Sequence, residues 1–245
     1  MKKISTFIVS AMTLLFASCS EATQEWHNTF IDLGFDPTSQ QPRQSMLLYA
    51  DQEYDTLKIF SFDPWKLETS GDSAWFTLSP TSGDARPGTP AVTRIDIRMP
   101  QNDTGRNRMN SIFVKSHDEL GCPIYQNSWL NITRPTPRID ASKHFIYKTA
   151  KFAFQEFEAA AATEFVSFHV YQNDAKLTWE SGNEWATFDD ENASKEELTF
   201  NAGTHTIKLK IAKNDGAERE AKLLLTSGKI TTPIYLKQAA KKDNK

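Results

Sequence analysis

Histidines, cysteines and neighbouring carboxylates are the side chains of this chain that could do chemistry. His27, His117, His144, His169 and His205 are scattered, with no His-x-x-x-His pair. A zinc site needs such convergent ligands, so none is expected. Asp189-Asp190-Glu191 could ligate Ca²⁺ but lacks the alternate spacing and the glycine of a calcium loop. It reads as a solvated acidic turn. Asp32 and Asp36, and Asp51, Glu53 and Asp55, are close in sequence, whereas glycosidase carboxylates must face each other across a cleft. Cys122, in Gly121-Cys122-Pro123, reads as a semi-buried turn residue rather than a nucleophile. No nucleophile stands with a base. The chain is read as a non-enzyme, without metal or cofactor.

Cys19 has a different chemistry. The chain opens Met1-Lys2-Lys3 and then runs through Ile4, Phe7, Ile8, Val9, Leu14, Leu15 and Phe16. A short basic segment followed by a short apolar one is a secretory signal, too short to span a bilayer, which takes about 20 apolar residues. Ala17-Ser18-Cys19 then places two small residues before a cysteine. This resembles a bacterial lipobox, with Phe16 where such motifs prefer Leu. The resemblance implies lipidation of Cys19, a membrane anchor and an address in the cell envelope, on the periplasmic or the surface face of an outer membrane. With Cys19 acylated only Cys122 remains, and no intrachain disulfide can form.

Aromatic rings are the other candidate binding groups. The chain holds 6 Trp, 6 Tyr and 16 Phe, and sugars stack their C–H faces on flat apolar rings. Trp65, Trp129 and Trp179 lie beside turns or outside the repeat described below, so each is a candidate glycan-stacking platform if exposed. A net charge of −3 gives no electrostatic case for nucleic acid.

These residues sit in an all-β pattern. Residues 1–18 are the signal segment, 19–44 a polar tether, 45–135 and 136–240 two domains, and 241–245 a basic tail. Within the tether, Trp26, Phe30, Ile31, Leu33 and Phe35 could form a short strand docked on the first domain. Met46-Leu47-Leu48, Leu57/Ile59, Trp65/Leu67 and Ile95/Ile97/Met99 mark short strands separated by turn residues, as in a sandwich or small barrel. Trp75-Phe76-Thr77-Leu78-Ser79-Pro80-Thr81-Ser82-Gly83 reads as an edge strand stopped by Pro80 and Gly83. Trp75 and Trp185 fall at equivalent positions and are assigned to the two cores. Lys66/Lys176, Asn102/Asn214, Arg108/Arg219 and Ser116/Ser227 recur at matching offsets, so the chain reads as one domain twice, joined at Pro135 and Pro137. Gln126 or Arg134 answers to Gln238. Ala159–Ala162 reads as a loop, although the composition also suits a helical turn.

Each unit resembles the BACON module of Bacteroidetes. The carrying residues are Trp75-x-x-Leu78-Ser79-Pro80-x-x-Gly83, then Asn102 and Arg108, and the closing Leu236-Lys237-Gln238-Ala239. The second unit has Phe188-Asp189-Asp190-Glu191 where the Ser-Pro-x-x-Gly turn would stand. The resemblance implies two tandem immunoglobulin-like β-sandwiches and an accessory protein of glycan utilisation. Its expected partners are carbohydrate or mucin glycans, or other surface proteins that it spaces. Asp55-Thr56-Leu57 and Asp72-Ser73-Ala74 resemble O-glycosylation acceptors.

Overall fold

The computed structural model of the chain describes residues 28–36, 42–71, 75–84, 89–133, 153–189, 191 and 195–241. Cys19, Trp26, Asp72-Ser73-Ala74, Pro135 and Pro137 lie outside the described residues. The first nine strands are β1 (Thr29–Asp32), β2 (Met46–Leu48), β3 (Tyr54–Ser61), β4 (Trp65–Thr69), β5 (Thr77–Ser79), β6 (Ser82–Gly83), β7 (Ala91–Arg98), β8 (Arg108–Lys115) and β9 (Glu119–Gln126). They form two sheets, ordered β1-β3-β7-β5 and β2-β9-β8-β4-β6. The next nine are β10 (Asn131–Thr133), β11 (Ala153–Phe157), β12 (Ala162–Val170), β13 (Ala175–Ser181), β14 (Ala186–Phe188), β15 (Glu197–Phe200), β16 (Gly203–Ile211), β17 (Arg219–Ser227) and β18 (Ile230–Gln238). Their sheets are ordered β10-β12-β16-β14 and β11-β18-β17-β13-β15. Each strand of the second set takes the place of the strand nine before it. The parallel pair β2–β9 even returns as β11–β18. The chain is two immunoglobulin-like sandwiches of one topology.

Period-two alternation builds both cores, because successive strand side chains point to opposite faces. In the first sandwich Leu57 and Ile59 of β3, Ile95 and Ile97 of β7, and Ile112 and Val114 of β8 meet between the sheets. In the second, Val166, Phe168, Leu209, Leu223, Leu225 and Leu236 do the same. Each such side chain contributes about 1.5–3 kcal/mol by leaving water, so these strands are held by their inner faces.

The stretch from Trp75 to Gly83 carries the chain from one sheet to the other. β5 is the edge of the first sheet and β6 the edge of the second, with the cis Ser79–Pro80 bond between them. Gly83 is a point of close approach. It pairs with Trp65, and a Cβ at Gly83 would lie 2.6 Å from the Trp65 indole. The glycine is there to admit the ring.

Several expectations change. The first sandwich starts by Thr29, not Ser45: β1 pairs with β3 from Thr29↔Ser61 to Asp32↔Lys58, and Leu33 is buried. Arg43 ties the upper part of the expected tether down, through a bidentate pair with Asp55 at 2.6 and 2.9 Å and a hydrogen bond to the Leu33 carbonyl. The boundary between the sandwiches falls between Gln126 and Asn131 rather than at 135/136, because β10 pairs with β12 of the second unit. Gln126, not Arg134, is the counterpart of Gln238: each closes the strand that pairs with β8 or β17. Cys122 sits within β9, buried, and not in a turn. The neighbouring Pro123 lies just before the β9 residues that pair with β2, where the ladder needs no N–H from it. Residues 158–161 form a loop between β11 and β12.

Candidate functional site

An Asn–Arg–Gln–Trp constellation recurs at the same end of both sandwiches. Asn102 Nδ2 donates to the carbonyls of Arg106, Gln126 and Asn127. Asn214 Nδ2 donates to those of Ala217 and Ala239. Arg108 donates to Gln126 Oε1 at 3.1 Å and Arg219 to Gln238 Oε1 at 2.9 Å. Gln126 Nε2 reaches the Pro100 carbonyl at 3.1 Å, and Gln238 Nε2 the Ala212 carbonyl at 2.9 Å. Each arginine then lies over a tryptophan, Arg108 at 5.9 Å from the Trp75 centroid and Arg219 at 4.6 Å from that of Trp185. Buried amides satisfy loop carbonyls here, as low-dielectric polar groups must. The outcome is an indole with a guanidinium over one face, the guanidinium itself hydrogen-bonded to the glutamine.

In front of each indole is an open cleft. The first, of about 560 Å³, is lined by Glu53, Trp75, Thr77, Arg98 and Pro100 among others. The second, of about 450 Å³, is lined by Glu184, Trp185, Thr187, Lys210 and Ala212 among others. Thr77/Thr187, Arg98/Lys210 and Pro100/Ala212 occupy matching strand positions. Each cleft thus combines an aromatic ring, a hydroxyl, a carboxylate and a cation. Such a set can stack on an apolar face while exchanging hydrogen bonds with hydroxyls. The two clefts differ in how free these groups are. Trp75 is half-buried, whereas Trp185 is 4% exposed. Lys210 and Lys208 both pair with the buried Asp189 carboxylate, while Arg98 lies over the Tyr54 ring at 5.4 Å. The Trp75 cleft is the more accessible of the two.

The platforms expected from sequence fall elsewhere. Trp65 is 3% and Trp179 8% exposed. Both sit on the inward phase of their strands, beside Leu67 and Leu177 respectively, so they are core rings and not stacking surfaces. Trp129 is half-buried, and its carbonyl accepts from Ala50 N–H at the domain junction. Trp75, assigned to the core by its repeat position, is the ring that reaches a cleft. It lies just ahead of β5, whose pairing begins at Thr77↔Arg98.

The other chemistry-bearing residues are occupied structurally. Asp32 accepts the Gly34 N–H, Asp55 holds Arg43, and Asp189 is a buried, doubly paired carboxylate rather than a solvated one. Thr56, of the first acceptor-like tripeptide, lies mid-strand in β3. His169 bonds Thr204, and His205 bonds the Asn201 carbonyl. Among the described residues no group of three or more His, Cys, Asp or Glu side chains could hold a metal ion.

Asp51 is fully buried between the sandwiches. It accepts from Tyr171 N–H at 2.8 Å and from the Ser227 hydroxyl at 2.6 Å, and burial pushes its carboxyl above the usual range despite the lowering effect of Ser227. Gln172 Nε2 donates to the Asp51 carbonyl and Glu53 Oε2, and Gln101 Oε1 accepts Lys229 N–H. The Tyr49 and Tyr171 rings stack 6.4 Å apart. Burial, with Asp36 adding to it, raises Tyr49 to about 12. Sequence reasoning saw Asp51 only as one of three neighbouring carboxylates. Nothing local marks a contact made with a residue far along the chain.

Fold and clefts together define a tandem β-sandwich with an aromatic-floored cleft in each unit. Residues 177–239, within the second sandwich, match the BACON family model, described as "Putative binding domain, N-terminal". Among solved structures, the chain is similar to a Bacteroides ovatus GH5 xyloglucanase in complex with a XXXG heptasaccharide, at 20% identity over 34% of this chain and 17% of that one, with a TM-score of 0.29. It is similar to a Porphyromonas gingivalis protein of unknown function at 9% identity, over 80% of this chain and 96% of that one, TM-score 0.24. The C-terminal domain of the Streptococcus pyogenes antigen I/II-family protein AspA gives 6% identity, over 87% of this chain and 99% of that one, TM-score 0.33. The chain spans 17% of the xyloglucanase. No curated protein matches the sequence.

Proposed function

We propose that the chain is a non-catalytic accessory protein of the cell envelope, anchored through a lipidated Cys19, that captures carbohydrate at the Trp75 cleft. The observation carrying this reading is the half-buried Trp75 indole, held from behind by Arg108 and flanked in front by Glu53, Thr77 and Arg98. A ring fixed in advance loses little entropy when a sugar stacks on it. The BACON match at residues 177–239 supports a binding role for this fold. Two or three acyl chains on Cys19, at about 0.8 kcal/mol per buried CH₂, would hold the protein at a membrane stably. The reading is tested by screening the protein against mucin glycans and plant polysaccharides, with Arg98→Ala as a folded variant of reduced affinity.

A second reading has its own observation. The hydrogen bonds of Asp51, Gln101 and Gln172 across the junction fix one sandwich against the other, which suits a stiff spacer for surface proteins. An absence of binding to every glycan in the screen, with the junction intact in solution scattering, favours that role.

A further inference from the structure

Two sandwiches of one topology show what the fold itself requires of its outer faces. On the outer face of the first, Phe30, Phe60 and Val92 lie side by side across β1, β3 and β7. Phe30 is 57% and Val92 56% exposed. At the same three positions the second sandwich has the buried Asn131, the half-buried His169 and the exposed Thr204. The apolar row is therefore no demand of the architecture. An exposed apolar row that a sister domain does without marks a surface that something covers.

The covering surface is indicated by where the row lies. The next row of the same face is Asp32, Lys58 and Arg94, with Lys58 and Arg94 exposed. Phe30 is in β1 itself, the strand nearest in sequence to Cys19 among the described residues. Residues 20–28 alone separate Cys19 from Thr29, a span of at most about 35 Å at full extension. Rings and aliphatic side chains settle at the boundary between headgroups and acyl chains, and neighbouring Lys and Arg meet anionic headgroups.

We propose that the Phe30–Phe60–Val92 row, with Lys58 and Arg94 beside it, docks this end of the first sandwich on the bilayer that holds the Cys19 anchor. The inference rests on the anchored reading given above. The row lies at the start of β7, and Arg98 of the cleft lies at its far end. Six residues of strand, about 20 Å, hold the cleft clear of the lipid. Docking thus sets the orientation in which Trp75 meets its ligand.

The test uses the full-length protein processed in cells and reconstituted in vesicles of phosphatidylethanolamine and phosphatidylglycerol. An environment-sensitive fluorophore is attached at Phe30→Cys or, as a control on the other sheet, at Met109→Cys. Both are made in a Cys122→Ala background. Blue-shifted emission and quenching by spin-labelled lipid at position 30, with neither at position 109, is the expected result. Equal quenching at both positions, or none at position 30 in vesicle-bound protein, overturns the docking. Shielding of position 30 that grows with protein concentration and ignores the lipid quencher also overturns it, in favour of a second copy as occupant. Fractionation of Cys19→Ala reports on the anchor separately. A variant that still incorporates a fatty-acid probe contradicts the anchor, whereas the depth of position 30 is read from the quenching alone.

Discussion

The Asp51 carboxylate of the first sandwich accepts the Ser227 hydroxyl of the second at 2.6 Å, across 176 residues of sequence. The same oxygen accepts Tyr171 N–H, so a single carboxylate oxygen joins two elements of the partner domain. Asp51→Ala leaves both donors without an acceptor in a buried site. The expected cost is about 1–3 kcal/mol, read as a lower denaturation midpoint and, in solution scattering, as a wider spread of inter-domain distances.

The pH dependence of that junction has a definite sign. Burial raises the Asp51 carboxyl in the folded state, so the folded protein holds this proton more tightly than the unfolded chain. The stability contributed is fully present below the ordinary carboxylate range near pH 4. It is lost as pH rises from there through the raised folded value. Asp51→Asn removes this titration. Melting curves of the two proteins against pH should therefore show the wild type losing ground to the variant as pH rises. A difference that stays constant with pH contradicts the assignment.

Gly83 is expected to resist even the smallest substitution. A Cβ there falls 2.6 Å from the Trp65 indole, and neither the β4–β6 pairing nor the buried ring can give way freely. Gly83→Ala should cost about 1–3 kcal/mol by overpacking. Equilibrium denaturation measures this directly, and near-wild-type stability would mean that the ring can move.

Cys122 should react slowly with thiol reagents in the native protein. Burial raises its thiol above the usual range, and only the thiolate is nucleophilic. Alkylation followed with and without denaturant is expected to be rapid only in the unfolded chain.

The strands and the duplication were legible because both depend on local alternation and fixed spacing, as with Ile95/Ile97 and Ile207/Leu209. The domain limits were not. Pro135 and Pro137 draw attention as a join, yet Asn131 and Thr29 belong to strands whose partners, His169 and Ser61, lie far along the chain. Trp65 and Trp179 illustrate the same limit. Proximity to a turn suggests exposure, but the phase of the strand decides it, and here both rings face inward. Trp75 packs against the first core as its repeat position implies, but its ring also lines an open cleft, a second side that a repeated position does not reveal.

Capture of carbohydrate at the Trp75 cleft is tested most directly by calorimetry of the protein against the glycans that a mucin and plant-polysaccharide array selects. Three proteins are compared: wild type, Arg98→Ala and Trp75→Ala, each checked for folding by its melting curve. The account predicts weak binding in the wild type, reduced in Arg98→Ala and lost in a folded Trp75→Ala, with the glycan recovered chemically unchanged. Binding that survives in both variants, or glycan recovered in cleaved form, would contradict it.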